Sequence, residues 1–204
     1  MFVQDIDLHV DYESMGLKPP EKEPEFTGYI LKNYDEYCKG RKRPAVIICP
    51  GGGYMYCSER EATPIAMEYL AGGINAFILR YSCKPAVFPT ALVQLATAVK
   101  LVREHAKEWN IDSEKIIVVG FSAGGHLAAS LGVFWNSSLL RTLGFLGDSH
   151  PVSYTHLIIS VIFICYNIHS ITSRRHMDDY HHNQNPSQRG FGFICAELST
   201  YNIP

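Results

Sequence analysis

Three short apolar runs without polar residues stand out in the first 120 positions of the chain. They occupy residues 45–49, 76–79 and 116–119. A strand covered on both faces carries a continuous apolar run, whereas a half-exposed strand alternates apolar and polar residues. The runs therefore predict parallel β-strands in the interior of a sheet.

Segments with helical spacing separate these runs. The first is predicted to begin with a capping box at residues 58–61 and to end at Gly72 and Gly73. The second follows Pro89 and is predicted to run to about Trp109. Alternating strands and helices imply crossover connections, so we expect an α/β fold whose mostly parallel sheet is flanked by helices.

Composition narrows the classes of function. The 204 residues are 47% hydrophobic and 19% charged, with a formal net charge of -2 and no basic stripe, so we expect neither nucleic acid nor a membrane as partner. The first ten residues lack the apolar run of a secretory signal. Six cysteines without a CxxC pair favour reduced thiols and a cytoplasmic location.

The chemistry begins with a GxSxG pattern, residues 120–124, directly after the third apolar run. A helical segment follows it. Strand, tight turn and helix is the context of a nucleophile elbow, in which the serine lies on a strained turn. The pattern therefore predicts Ser122 as a catalytic nucleophile, with the helix N-terminus providing partial positive charge where an oxyanion develops.

Three consecutive glycines, residues 51–53, follow the first apolar run. A phosphate cradle is disfavoured, because no Gly-Lys-Ser/Thr follows and the GxGxxG spacing is absent. An oxyanion loop fits better, since backbone amides can approach a ligand closely where side chains are lacking. A purely structural turn is the alternative.

These motifs, with residues 49–54, 58–61, 77–82 and 120–128, resemble bacterial α/β-hydrolase esterases, and most closely small acetyl esterases found with xylan-degrading genes. The resemblance covers about residues 26–150. It implies Ser122 as nucleophile and oxyanion-hole amides on Gly52, Gly53 and Ala123, with no metal and no cofactor. It also implies hydrolysis of short acyl esters, the substrate being a small molecule or an oligosaccharide. Pro50 departs from the histidine found in many relatives.

A serine nucleophile needs a histidine base and an acid, and in this fold both follow the serine in the chain. His126 lies one turn into the elbow helix, and we expect it to be structural. The other later candidates are Asp178–Asp179 with His181–His182. Acid and base normally come from separate strand ends, so this adjacent set is better interpreted as a polar loop. No acid or base is therefore assigned.

The composition changes near residue 150. All nine lysines precede residue 116, whereas five of the nine histidines follow residue 150. Residues 151–157 resemble a translated sequencing-adapter remnant. We therefore predict a hydrolase domain at residues 1–151 and an atypical, non-native continuation at residues 152–204.

Two other functions stay open. A peptidase of the same fold would carry the same Gly-Phe-Ser-Ala-Gly-Gly segment. A hydrolase-like protein without activity would fit a chain with no assigned acid or base. The sequence does not fix the oligomeric state, the acyl chain or the leaving group.

Overall fold

A computed structural model describes residues 1–135 and 137–142 of the chain. Five strands form one mixed sheet in the spatial order β1-β2-β4-β3-β5. The strands are β1 Phe2–Ile6, β2 Glu25–Ile30, β3 Arg43–Cys49, β4 Asn75–Arg80 and β5 Ile111–Gly120. Strands β4, β3 and β5 run parallel and contain the three apolar runs, which confirms that part of the sequence prediction.

The parallel strands are the most deeply buried elements of the sheet. Residues 45–49 and 76–79 have no exposed surface, and both faces of the strands pack against apolar side chains. Burial on both faces explains why these runs lack polar alternation. The sheet places the carboxyl ends of β3 and β5 side by side, with Cys49 paired to Gly120.

Strands β1 and β2 were not predicted from the sequence. They extend the sheet beyond β4 with antiparallel pairing, so the sheet is mixed. β1 is exposed along most of its length, and β2 alternates buried and half-buried residues. Neither strand has the continuous apolar run by which the interior strands were recognised.

Four helices accompany the described strands: α1 Thr63–Ala71, α2 Thr90–Glu104, α3 Ala123–Phe134 and α4 Ser138–Thr142. α1 ends at Ala71 with Gly72 as its C-cap, and Gly73 has a positive φ of 81°, as the predicted helix stop at these two glycines requires. α2 begins after Pro89 as predicted but ends at Glu104, earlier than the predicted Trp109.

The predicted capping box at residues 58–61 is wrong. α1 begins later, at Thr63, and the preceding Glu59–Glu61 segment forms a short 3-10 turn. The Ser58 side chain makes no capping hydrogen bond. Its backbone N–H donates instead to the carbonyl oxygen of Gly51, and the Glu61 carboxylate accepts the N–H of the same glycine. The segment therefore makes hydrogen bonds to the glycine loop and does not cap the helix through the Ser58 side chain.

Candidate active site

Ser122 lies on a sharp turn between β5 and α3. Its backbone has φ 50° and ψ -115°, a combination that residues other than glycine rarely adopt. The residue is exposed, and its carbonyl oxygen accepts the N–H of His126 in the first turn of α3. The predicted strand, turn and helix around this serine are confirmed.

The two glycines of the GxSxG pattern are required by close backbone packing. A Cβ on Gly120 would lie 2.1 Å from the carbonyl oxygen of Gly124. A Cβ on Gly124 would lie 2.0 Å from the carbonyl oxygen of Cys49, at the end of β3. Real Cβ atoms do not approach backbone oxygen so closely, so α3 can start against β3 only where side chains are absent.

The glycine loop, residues 51–54, approaches this turn from the end of β3. Gly52 has φ 133°, Gly53 has φ 62° and Tyr54 has φ 59°, so three successive residues have positive φ. A Cβ on Gly51 would lie 3.0 Å from the Ser122 Cβ and 2.7 Å from the carbonyl oxygen of Phe121. The glycine loop is therefore in direct contact with the turn that carries Ser122, which we call the serine turn.

The backbone amides of Gly52, Gly53 and Ala123 lie near the turn and have no acceptor within the described part of the chain. The Ala123 amide belongs to the first turn of α3, where N–H groups lack intrahelical acceptors. The helix dipole adds partial positive charge at this point. The amides named by the sequence resemblance thus lie on the two loops that meet at Ser122.

Tyr54 connects the glycine loop to the elbow helix. Its hydroxyl lies 2.8 Å from Nδ1 of His126, and the two rings meet edge to face with centroids 5.9 Å apart. Burial raises the pKa of Tyr54 to about 12, so the hydroxyl stays protonated at neutral pH. His126 therefore contacts a tyrosine of the glycine loop, and the structural role expected for it stays a prediction.

Tyr81, the residue that follows β4, supports the same loop. Its buried hydroxyl donates to the carbonyl oxygen of Pro50 at 2.8 Å, and its ring packs against that of Tyr54. Sequence reasoning missed Tyr54, Glu61 and Tyr81 as residues that shape the site. All three lie inside the segments that carry the family resemblance, but no local pattern reveals which atom each side chain reaches.

Several features considered in the sequence analysis fall in the part of the chain that the structure does not describe. Asp178, Asp179, His181 and His182 lie outside the described residues, as does the predicted domain boundary at residue 151, which stays a prediction.

Within residues 1–135 and 137–142, no group of three or more His, Cys, Asp or Glu side chains is placed to hold a metal ion. In the same residues, no helix combines the length and apolar character needed to cross a membrane.

Residues 33–197 match the model of the BD-FAE family. The match includes much of the segment after residue 151. An acetylxylan esterase from Xylanibacter ruminicola is 33% identical over 86 residues, which are 42% of this chain and 18% of that protein.

Two solved structures are also similar. MGS-M1, an α/β-hydrolase enzyme from a Medee basin deep-sea metagenome library, is 43% identical, with a TM-score of 0.56 over 65% of this chain and 51% of its own. An acetyl ester-xyloside bifunctional hydrolase from Caldicellulosiruptor lactoaceticus is 31% identical, with a TM-score of 0.61 over 75% of this chain and 54% of its own. These likenesses confirm the predicted α/β-hydrolase fold. The chain spans about half the length of both solved structures and less than a fifth of the esterase.

Proposed function

Because the chain belongs to the BD-FAE family, we propose that it is a carboxylic ester hydrolase with Ser122 as the nucleophile. One observation carries the proposal. An exposed serine with φ 50° stands at the end of β5, in contact with a glycine loop whose Gly52 and Gly53 amides have no acceptor among the described residues. Strain of this kind persists only where the surrounding structure imposes it, and it is concentrated at functional sites.

In this mechanism the Ser122 Oγ attacks the carbonyl carbon of the ester. The C–O π electrons move to the carbonyl oxygen, and that oxyanion accepts hydrogen bonds from amides of Gly52, Gly53 and Ala123. Collapse of the intermediate expels the alcohol and leaves an acyl-serine, which water hydrolyses to release the acid and the free hydroxyl. A fixed amide costs no reorganisation when charge develops, and each such donor contributes about 100- to 1000-fold in rate.

The mechanism needs a base that takes the serine proton and returns it to the departing alkoxide. In α/β hydrolases the acid and the histidine follow the nucleophile in the chain, on later strand ends. His126 is engaged with Tyr54, so it is not our candidate for this role. The base and acid are therefore sought beyond residue 142.

For the substrate we propose short acyl esters, with acetyl groups on xylo-oligosaccharides as the leading case. The support is the similarity to the acetylxylan esterase and to the acetyl ester-xyloside hydrolase. No metal or cofactor has a part in the proposal, because the serine, the amides and a histidine base suffice for acyl transfer.

A fluorophosphonate probe tests the nucleophile. We expect stoichiometric labelling of the folded chain at Ser122, located by peptide mapping, and no labelling of Ser122→Ala. Labelling at another serine would move the nucleophile. A folded wild-type protein that takes no label would refute the proposal and favour a hydrolase-like protein without activity.

Substrate comparison tests the reaction class. We expect hydrolysis of p-nitrophenyl acetate to exceed that of the octanoate ester, and acetate to be released from acetylated xylo-oligosaccharides. Faster turnover of an aminoacyl-nitroanilide would favour a peptidase instead.

A further inference from the structure

Both backbone polar groups of Gly51 are held by one short segment, residues 58–61, which we call the brace. The N–H of Gly51 donates to Oε2 of Glu61 at 2.8 Å. The carbonyl oxygen of Gly51 accepts the N–H of Ser58 at 2.9 Å. Gly51 and Ser58 are both buried. A carboxylate acceptor makes the first of these bonds charge-assisted, and such bonds are about twice as strong as neutral ones.

The brace is itself fixed to the sheet. Arg80, at the end of β4, makes a two-point contact with Glu59, with N···O distances of 2.7 and 2.8 Å. The N–H of Glu61 donates to the carbonyl oxygen of Ser58 at 3.1 Å, which closes the turn. Glu61 therefore reaches Gly51 from a segment whose position is set by a neighbouring strand.

Gly51 lies between Glu61 and the serine turn. A Cβ added to it would lie 2.7 Å from Oε2 of Glu61 and 3.0 Å from the Cβ of Ser122. With so little space, a shift of Gly51 changes the distance between the glycine loop and Ser122. The next two residues, Gly52 and Gly53, provide the amides that we propose for the oxyanion hole.

We propose that Glu61 is a positioning residue for this site: by holding the Gly51 N–H, its carboxylate fixes the direction of the Gly52 and Gly53 amides relative to Ser122. The inference rests on the proposed function. Glu61 touches neither substrate nor nucleophile in this role. Its contribution is geometric, because a misplacement of about 1 Å in a catalytic group can reduce the rate about 100-fold.

Two substitutions separate geometry from charge. Glu61→Ala removes the acceptor, whereas Glu61→Gln removes the charge but keeps an amide oxygen at the same reach. A positioning role predicts that the glutamine variant, which keeps a weaker neutral bond, is much less impaired than the alanine variant. Glu68→Ala is the matched control, since Glu68 is an exposed carboxylate on the neighbouring helix α1.

Amide hydrogen exchange of the full chain, followed on peptides that cover residues 50–57, reads the loop without any need for activity. In Glu61→Ala we expect exchange of the Gly51 amide, the one that donates to Glu61, to be about 10-fold faster or more, which is the effect of losing one bond to a charged acceptor. Glu68→Ala should exchange as the wild type does, and Glu61→Gln, which keeps a neutral acceptor, should lie between the wild type and Glu61→Ala. Unchanged exchange in Glu61→Ala would overturn the proposal.

The second readout is the rate of fluorophosphonate labelling, with kcat and KM for p-nitrophenyl acetate. For Glu61→Ala we expect labelling and kcat to fall about 10- to 100-fold, with KM within about 3-fold of wild type. Glu61→Gln should stay within about 3-fold in all three. Wild-type rates in Glu61→Ala, or equal losses in both variants, would refute the positioning role.

The two proposals fail in different ways. A folded wild type that takes no label would refute the proposed function, while the exchange data would still decide whether Glu61 holds the glycine loop. Normal labelling of wild type and of Glu61→Ala alike would leave the function standing and remove Glu61 from it.

Discussion

The hydroxyl of Tyr81 donates a hydrogen bond of 2.8 Å to the carbonyl oxygen of Pro50, across 31 residues of sequence. The bond joins the first residue after β4 to the first residue after β3, directly before the glycine loop. Both residues are buried. The entrance to the loop is thus fixed by a side chain from the neighbouring strand.

Removal of this hydroxyl should destabilise the fold. Tyr81→Phe leaves the buried Pro50 carbonyl without the tyrosine donor, and an unsatisfied buried acceptor costs about 1–3 kcal/mol. We expect the free energy of unfolding in urea to fall by that amount. Tyr37→Phe is the control, because the Tyr37 side chain is 80% exposed and its hydroxyl should contribute little. Equal losses in both variants would contradict the account.

Stability should also decline at alkaline pH. Burial raises the pKa of Tyr81 above the ordinary 10.0, that of Tyr54 to about 12, and that of the Cys57 thiol from 9.0 to about 12. The unfolded chain releases these protons at lower pH than the folded chain does. The stabilisation is therefore fully present below about pH 9 and is lost as pH rises from there to about 12.

Urea midpoints under reducing conditions at about pH 7.5, 9 and 10.5 would measure this decline. Tyr81→Phe should reduce the slope, because one of the titrating groups is gone, whereas the exposed Tyr37→Phe should not change it. A flat profile in the wild type would show that these groups are solvated in the folded state.

The elements that the sequence predicted are those whose causes are local. The runs at residues 45–49, 76–79 and 116–119 predict interior strands, because a strand that is buried on both faces has a continuous apolar run. The GxSxG pattern predicts the elbow because the strained turn and the contact between Gly120 and Gly124 fall within five residues. For such features a short window of sequence contains the whole physical constraint.

Contacts between distant segments were not predictable in this way. β1 pairs with β2 through a register that links Phe2 to Ile30, and neither strand has a strong apolar pattern of its own. The contact between Tyr54 and His126 spans 72 residues. Glu61 looked like part of a capping box, because the same residue types that cap helices also bind loop amides. Only the packing of distant segments decides which group each of these side chains meets.

The packing at the elbow gives a stability prediction. Gly124→Ala would place a Cβ 2.0 Å from the carbonyl oxygen of Cys49 and 2.5 Å from that of Pro50, so backbone must move. We expect a loss of about 3 kcal/mol or more in the free energy of unfolding, or a fall in soluble yield. Gly72→Ala, at φ -76° with its nearest neighbour at 3.3 Å, should change stability by less than about 1 kcal/mol. Comparable losses in the two variants would contradict the packing.

The strain at Ser122 gives a prediction in which stability and function move in opposite directions. A non-glycine residue at φ 50° and ψ -115° costs about 1–3 kcal/mol, whereas glycine relieves that strain and gives back about 0.5–1 kcal/mol in chain entropy. Ser122→Gly should therefore raise the free energy of unfolding by about 1 kcal/mol, while Ser122→Ala, which keeps a Cβ, should leave it near the wild-type value. Both variants should lose fluorophosphonate labelling. Urea unfolding of the three proteins makes the comparison, and a Ser122→Gly variant less stable than Ser122→Ala would mean that the elbow stores no strain. If the expected order is found, the fold retains a serine at this position against its own stability, as a nucleophile requires and a structural turn does not.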